Sequence, residues 1–129
     1  MDTEVSVKIR ILCVENHLDT CDLIVALLNR YEIVCAHSLK QGMLRFRNQG
    51  FSAVIVDLHL DDPSGDGLSF CRQIRSIDEK VPIVMMTVDY DLSPEDARAA
   101  GAQMLLRKGR DFNNDLKKAV DRLVFENSA

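Results

Sequence analysis

Five short apolar runs recur along the chain with helical stretches between them, and this alternation restricts the fold more than any other feature. Residues 7–14, 31–36, 53–56, 81–87 and 103–107 are rich in Val, Ile, Leu and Met, and such short runs predict buried strands. The stretches between them carry helical spacing and helix punctuation. Residues 18–30 place Leu23, Ile24, Leu27 and Leu28 on one face. Ser38 with Gln41 forms a capping box for a helix running to about residue 48, with Gly50 as its stop. Residues 68–76 turn Phe70, Cys71 and Ile74 inward. Ser93-Pro94-Glu95-Asp96 opens a fourth helix with a capping hydroxyl, a proline at the first helical position and acids against the positive end of the dipole, and Gly101 stops it. Residues 113–125 put Leu116, Val120, Leu123 and Val124 on a common face. Crossovers of this kind are right-handed and return the chain parallel to itself. The expected fold class is therefore α/β, a doubly wound five-stranded parallel sheet with five helices on its two faces.

With 129 residues and no linker or repeat, the chain predicts a single domain, 1–129, with a core of about 8–125. A net charge of −4 and a pI near 5.3 argue against direct binding of nucleic acid. No apolar stretch approaches the roughly 20 residues needed to span a bilayer, and Met1-Asp2-Thr3-Glu4 lacks the basic start of a secretion signal. No membrane association and a cytoplasmic location are expected. Cys13, Cys21, Cys35 and Cys71 form no C-x-x-C pair, which points to core thiols instead of a zinc site or redox dithiol.

The chemistry gathers at the ends of the strands. The run 53–56 stops at Asp57, the first strand stops at Glu15-Asn16, the fourth ends in Thr87, and the fifth is followed by Lys108. In an open parallel sheet ligands bind outside the carboxyl ends of the strands, so these four positions can converge on one pocket.

The segments Ile11-Leu12-Cys13-Val14-Glu15-Asn16, Val54-Ile55-Val56-Asp57-Leu58, Asp66-Gly67-Leu68, Pro82-Ile83-Val84-Met85-Met86-Thr87 and Gly101-Ala102, in this order and followed by Lys108, resemble the receiver domain of two-component response regulators of the chemotaxis-regulator type. The resemblance runs from about Lys8 to Phe125. It implies a flavodoxin-like strand order 2-1-3-4-5 and a phosphorylation-operated signalling module. Asp57 is then the phosphoacceptor, served by a sensor histidine kinase or phosphotransfer protein, and the chain is a switch that promotes only its own phosphorylation and dephosphorylation. Lys108 supplies a fixed positive charge and Thr87 the switch hydroxyl. Mg²⁺ is the implied cofactor, on Asp57, Asn16 and the backbone carbonyl of His59, with Glu15 acting at longer range through water. The implied outlets are a downstream protein target or a fused output domain, and a homodimer through the fourth helix, fifth strand and fifth helix, where Arg98, Arg107 and Arg110 can meet acids such as Asp96.

Four departures from the family pattern stand out. Asn16 occupies the place of the second acid, so a weaker hold on Mg²⁺ is expected. Nine positions separate Asp57 from Asp66 where seven are usual, a two-residue insertion that chain-closure scaling tolerates at roughly 0.2 kcal/mol. Asp61 and Asp62 in that insertion read as solvated charges, with a part in metal or partner choice as the alternative. Leu105 replaces a common aromatic, and Gly109 replaces a common proline. His59 is expected to influence how fast water reaches a phosphorylated Asp57. A docking scaffold that works unphosphorylated is the competing reading. A phosphatase with an aspartate nucleophile needs a second acid where His59 stands, and a nucleotide carrier needs a glycine-rich loop after the first strand that this chain lacks.

Overall fold

The computed structural model describes residues 8–127. Val7 of the first expected strand and the Met1-Asp2-Thr3-Glu4 start lie outside the described residues. The elements run β1 (Arg10–Val14), α1 (Leu18–Leu27), β2 (Glu32–Ala36), α2 (Leu39–Asn48), β3 (Ala53–Asp57), α3 (Gly67–Ile77), β4 (Ile83–Thr87), α4 (Pro94–Ala100), β5 (Met104–Arg107) and α5 (Phe112–Asn127). All pairings between these strands are parallel, in the order β2-β1-β3-β4-β5.

Alternation along the strands divides the core into two layers. Leu12, Val14, Val54, Val56, Ile83 and Met85 pack with α2, α3 and α4 on one face, while Ile11, Cys13, Ile55, Val84 and Met86 pack with α1 and α5 on the other. Both faces being covered explains why the central strands read as unbroken apolar runs. Each side chain of this size contributes about 1.5–3 kcal/mol on burial. No helix among the described residues is long and apolar enough to cross a membrane.

Capping decides where several helices begin. Ser93 and Asp96 cap each other's backbone at the start of α4, and Asp66 and Ser69 do the same for α3. At α2 the Ser38 hydroxyl accepts from Gln41 N at 3.1 Å, but the Gln41 side chain reaches back to His37 N, one residue beyond a reciprocal box. Gly101 ends α4 in the left-handed region at φ 117°, as a stop should. Gly50 does not serve as one, because Gln49 already leaves α2 in an extended conformation, φ −137°.

Helix α1 is three residues shorter than its apolar pattern predicts. Leu28 departs from helical geometry at ψ 41°, and with Tyr31 it drops into the core beneath the sheet. The inward positions are Cys21, Ile24 and Leu28, while Leu23 is 43% exposed. All four cysteines are free thiols, and Cys13, Cys21 and Cys71 are core residues as expected. Cys35, on the edge strand β2, is only half-buried.

Candidate functional site at the carboxyl edge of the sheet

Parallel register carries the polar residues to one rim. Asp57 is the last residue of β3 and lies opposite Met86, one position before Thr87 at the end of β4. Lys108 follows Arg107, the partner of Thr87, and its backbone N–H donates to the Thr87 carbonyl at 2.8 Å. Glu15 extends β1 by a further ladder bond to Ala36 O at 2.9 Å. Thus Glu15, Asp57, Thr87 and Lys108 are fixed by backbone pairing before any side chain interacts.

The Lys108 ammonium lies 2.8 Å from Asp57 Oδ1 and 3.5 Å from Glu15 Oε2. Glu15 is wholly buried, and the Asp57 side chain is 6% exposed. His17 Nδ1 stands 3.1 Å from the other Glu15 oxygen. Burial pushes the Glu15 carboxyl up and the neighbouring Asp57 adds to this, while Lys108 and His17 pull it back. Two carboxylates sharing one ammonium form an acidic cradle that favours a second positive charge.

Asn16 is clamped from outside. Its amide Nδ2 donates to Asp61 Oδ2 at 2.9 Å, which fixes the orientation of the amide and leaves Oδ1 buried without a partner. A reversed amide would set two acceptors against each other. An orphaned buried oxygen is what a hard cation satisfies, and the donor set of Asp57, Glu15, Asn16 and backbone carbonyls is all oxygen, so the residues fit Mg²⁺. Among the described residues no three His, Cys, Asp or Glu side chains are grouped as metal ligands, so a cation here draws on amide and backbone oxygens as well.

Asp61 is exposed to solvent and Asp62 half-buried, in keeping with solvated charge, but both also make specific contacts. Asp61 takes a left-handed conformation, φ 50°, and holds Asn16. Asp62 accepts from Leu39 N at 3.0 Å, adding a second cap to α2, and from Ser64 N and Oγ at 2.9 and 2.6 Å. The loop is closed at its base by Gly67 N donating to Leu58 O at 2.8 Å. A Cβ at Gly67 would stand 2.5 Å from the Asp57 carbonyl oxygen, so this close approach requires glycine.

Further placements went unread in the sequence. Asp89 N donates to Thr87 Oγ1 at 2.9 Å, and the Asp89 carboxylate lies 3.6 Å from His59 Nε2, tying the β3–α3 and β4–α4 loops together across the rim. The spacing Thr87-x-Asp89 is a turn signal that could have flagged the first of these contacts. Arg107 donates to the carbonyls of Asp89 and Leu92 and lies over the Tyr90 ring at 5.2 Å, so its charge is used within the monomer. Arg98 pairs with Glu95 on its own helix. Leu105, in the place of the common aromatic, packs against the α2–α3–α4 core layer.

A family model described as the response regulator receiver domain matches residues 11–121. The transcriptional regulatory protein ZraR of Escherichia coli is 29% identical over 119 residues, covering 88% of this chain and 26% of that protein. A probable transcriptional regulatory protein of Picosynechococcus is 33% identical over 96 residues, 67% of this chain and 38% of its own length. The chain therefore spans well under half the length of these relatives. Among solved structures, the response regulator protein TrrA from Thermotoga maritima, in complex with Mg²⁺–BeF, superposes with a TM-score of 0.79 at 25% identity, covering 89% of this chain and 98% of that one. A response regulator receiver domain protein from Clostridium thermocellum gives 0.83 at 24% identity, covering 93% and 97%.

Proposed function

The chain belongs to the response regulator receiver domain family, and from that premise we propose that Asp57 accepts a phosphoryl group from a phosphohistidine on a sensor kinase or phosphotransfer protein. The observation that carries this reading is the Lys108 ammonium 2.8 Å from Asp57 Oδ1 at the edge of the sheet. A carboxylate oxygen attacks phosphorus, the P–N bond breaks as the P–O bond forms, and the imidazole leaves with a proton from solvent. Little acid–base work is needed. The step requires position and positive charge around the equatorial oxygens.

Lys108 holds Asp57 by one oxygen, which leaves the other to act as nucleophile. Mg²⁺, held by Asp57, the Asn16 amide oxygen and the His59 carbonyl with Glu15 behind them, supplies further positive charge when bound. Asn16 in place of a second acid weakens that site. Thr87 is poised as the switch: its hydroxyl oxygen now accepts from Asp89 N, and turning its proton to a phosphoryl oxygen at Asp57 disturbs the start of the β4–α4 loop. That loop is held by Arg107, so the change reaches β5 and α4, where a downstream target, an output domain or a second receiver can read it. His59, tethered to Asp89 across the rim, influences the entry of the water that ends the signal. A cytoplasmic location beside its kinase goes with these roles.

Intact-protein mass after acetyl phosphate and Mg²⁺ tests the reading. One added phosphoryl group on the wild type and none on Asp57→Asn is the expected result. Equal labelling of both puts the phosphoryl group on another residue and overturns the assignment of Asp57, and labelling of neither overturns it in favour of a scaffold that binds partners unphosphorylated.

A further inference from the structure

The amide at position 16 and the two-residue insertion in the β3–α3 loop are far apart in sequence, yet they meet. Asp61, placed by its left-handed backbone, accepts the Asn16 Nδ2 proton at 2.9 Å, and the opposite side of the same amide is the buried, unpartnered Oδ1. The loop that delivers Asp61 is anchored on both sides of it. Asp62 binds Leu39 N and Ser64, and Gly67 N binds Leu58 O. An unanchored loop tip would hold Asp61 loosely; this one is tied to α2 and to the end of β3.

We propose that Asp61 offsets the missing acid: it orients the Asn16 amide so that Oδ1 faces the cation site, and it supplies through that amide the negative charge that a carboxylate at position 16 would have brought directly. This rests on the reading of Asp57 as a Mg²⁺-dependent phosphoacceptor. Asp61 is thus a positioning residue, one bond removed from the ion. Outer partners that orient metal ligands commonly govern affinity by about 10–100-fold. The arrangement also gives the insertion a purpose, because a loop of ordinary length has two fewer residues with which to reach Asn16. An anionic acceptor on the amide N–H polarises the carbonyl oxygen at its other end, making it a better ligand for a hard cation.

The test is Mg²⁺ binding measured by titration calorimetry without any phosphodonor, on the wild type, Asp57→Asn, Asp61→Ala, Asp61→Asn, Asn16→Asp and the double variant Asn16→Asp/Asp61→Ala. Circular dichroism checks that each is folded. Asp61→Ala is expected to weaken binding roughly tenfold or more, and Asp61→Asn, which keeps an acceptor but loses the charge, by less. With an acid at position 16 the sign reverses. Asp61 then faces a carboxylate instead of an amide donor, so removing it leaves Mg²⁺ binding unchanged or tighter. A merely structural role for Asp61 does not reverse in this way. Wild-type affinity in both Asp61 variants, or equal weakening by Asp61→Ala in the wild-type and Asn16→Asp backgrounds, overturns the inference while leaving the phosphoacceptor reading intact. Absence of Mg²⁺ binding by the wild type, or binding untouched by Asp57→Asn, overturns both.

Discussion

Near their amino ends β1, β3 and β4 carry Ile11, Ala53, Val54 and Ile83, apolar and sealed from solvent behind the half-buried Arg10 that opens β1, whereas at or just past their carboxyl ends Glu15, Asp57 and Thr87 are equally buried and polar. Among the described residues these three are the buried polar set. The same register builds both ends, but their energetics are opposed. Apolar burial at one end holds the sheet together, and desolvated carboxylates at the other subtract from stability unless Lys108 or a bound cation offsets them. The rim keeps its geometry because the apolar half over-determines it.

Lys108→Met should separate the two ends most sharply. Losing the cation beside Asp57 is expected to slow labelling by acetyl phosphate roughly 10²–10³-fold. It also removes the charge that lowers the Glu15 carboxyl, so the loss of stability should be larger at pH 7 than at pH 4, measured by urea unfolding. A loss independent of pH would show that packing of the lysine stem dominates. At the apolar end, Ile11→Ala should cost about 2–5 kcal/mol of unfolding free energy, with the labelling rate of the folded protein nearly unchanged. Gly67→Ala lies between the two, since its Cβ must push on the Asp57 carbonyl. A cost of about 1–3 kcal/mol, together with slower labelling, is expected, and a change in stability alone would show that the loop shifts without moving Asp57.

The smallest effect has the opposite sign. Glu15→Gln should stabilise the protein by on the order of 1 kcal/mol near neutral pH. Because burial raises the native Glu15 carboxyl above its ordinary value, the native state binds this proton more tightly than the unfolded chain. Wild-type stability from this group is therefore greatest below the ordinary glutamate range and falls as pH rises through it toward the raised value. The advantage of Gln should shrink on acidification. Gln less stable than Glu at pH 7 would mean that the pairing with Lys108 and His17 outweighs desolvation.

Much of the fold was legible because local pattern and global fold agree. Unbroken apolar runs identified β1, β3 and β4, capping chemistry placed α4, and the residues that end the strands lay where a parallel sheet collects them. What misled was local as well. The periodic run after Arg10–Val14 continued past Leu27, but Tyr31 needed a place under the sheet, and the helix gave way. Gly50 looked like a stop, and an extended Gln49 made it unnecessary. Asp61 and Asp62 do face solvent, exposed and half-buried, but the bonds they also make could not be read, since their partners, Asn16 and Leu39, lie 45 and 23 residues away. No periodicity links positions that distant.

The sequence by itself determined the alternation of strand and helix, the two-sided burial and the residues that end each strand, because those depend on spacing along the chain and on which side chains shun water. Only the tertiary structure decided that Lys108 reaches two carboxylates, that His59 meets Asp89, and that Asp61 holds Asn16. Those contacts arise where loops from different strands are brought to one rim, and their geometry follows from backbone register and loop anchoring that no single segment encodes.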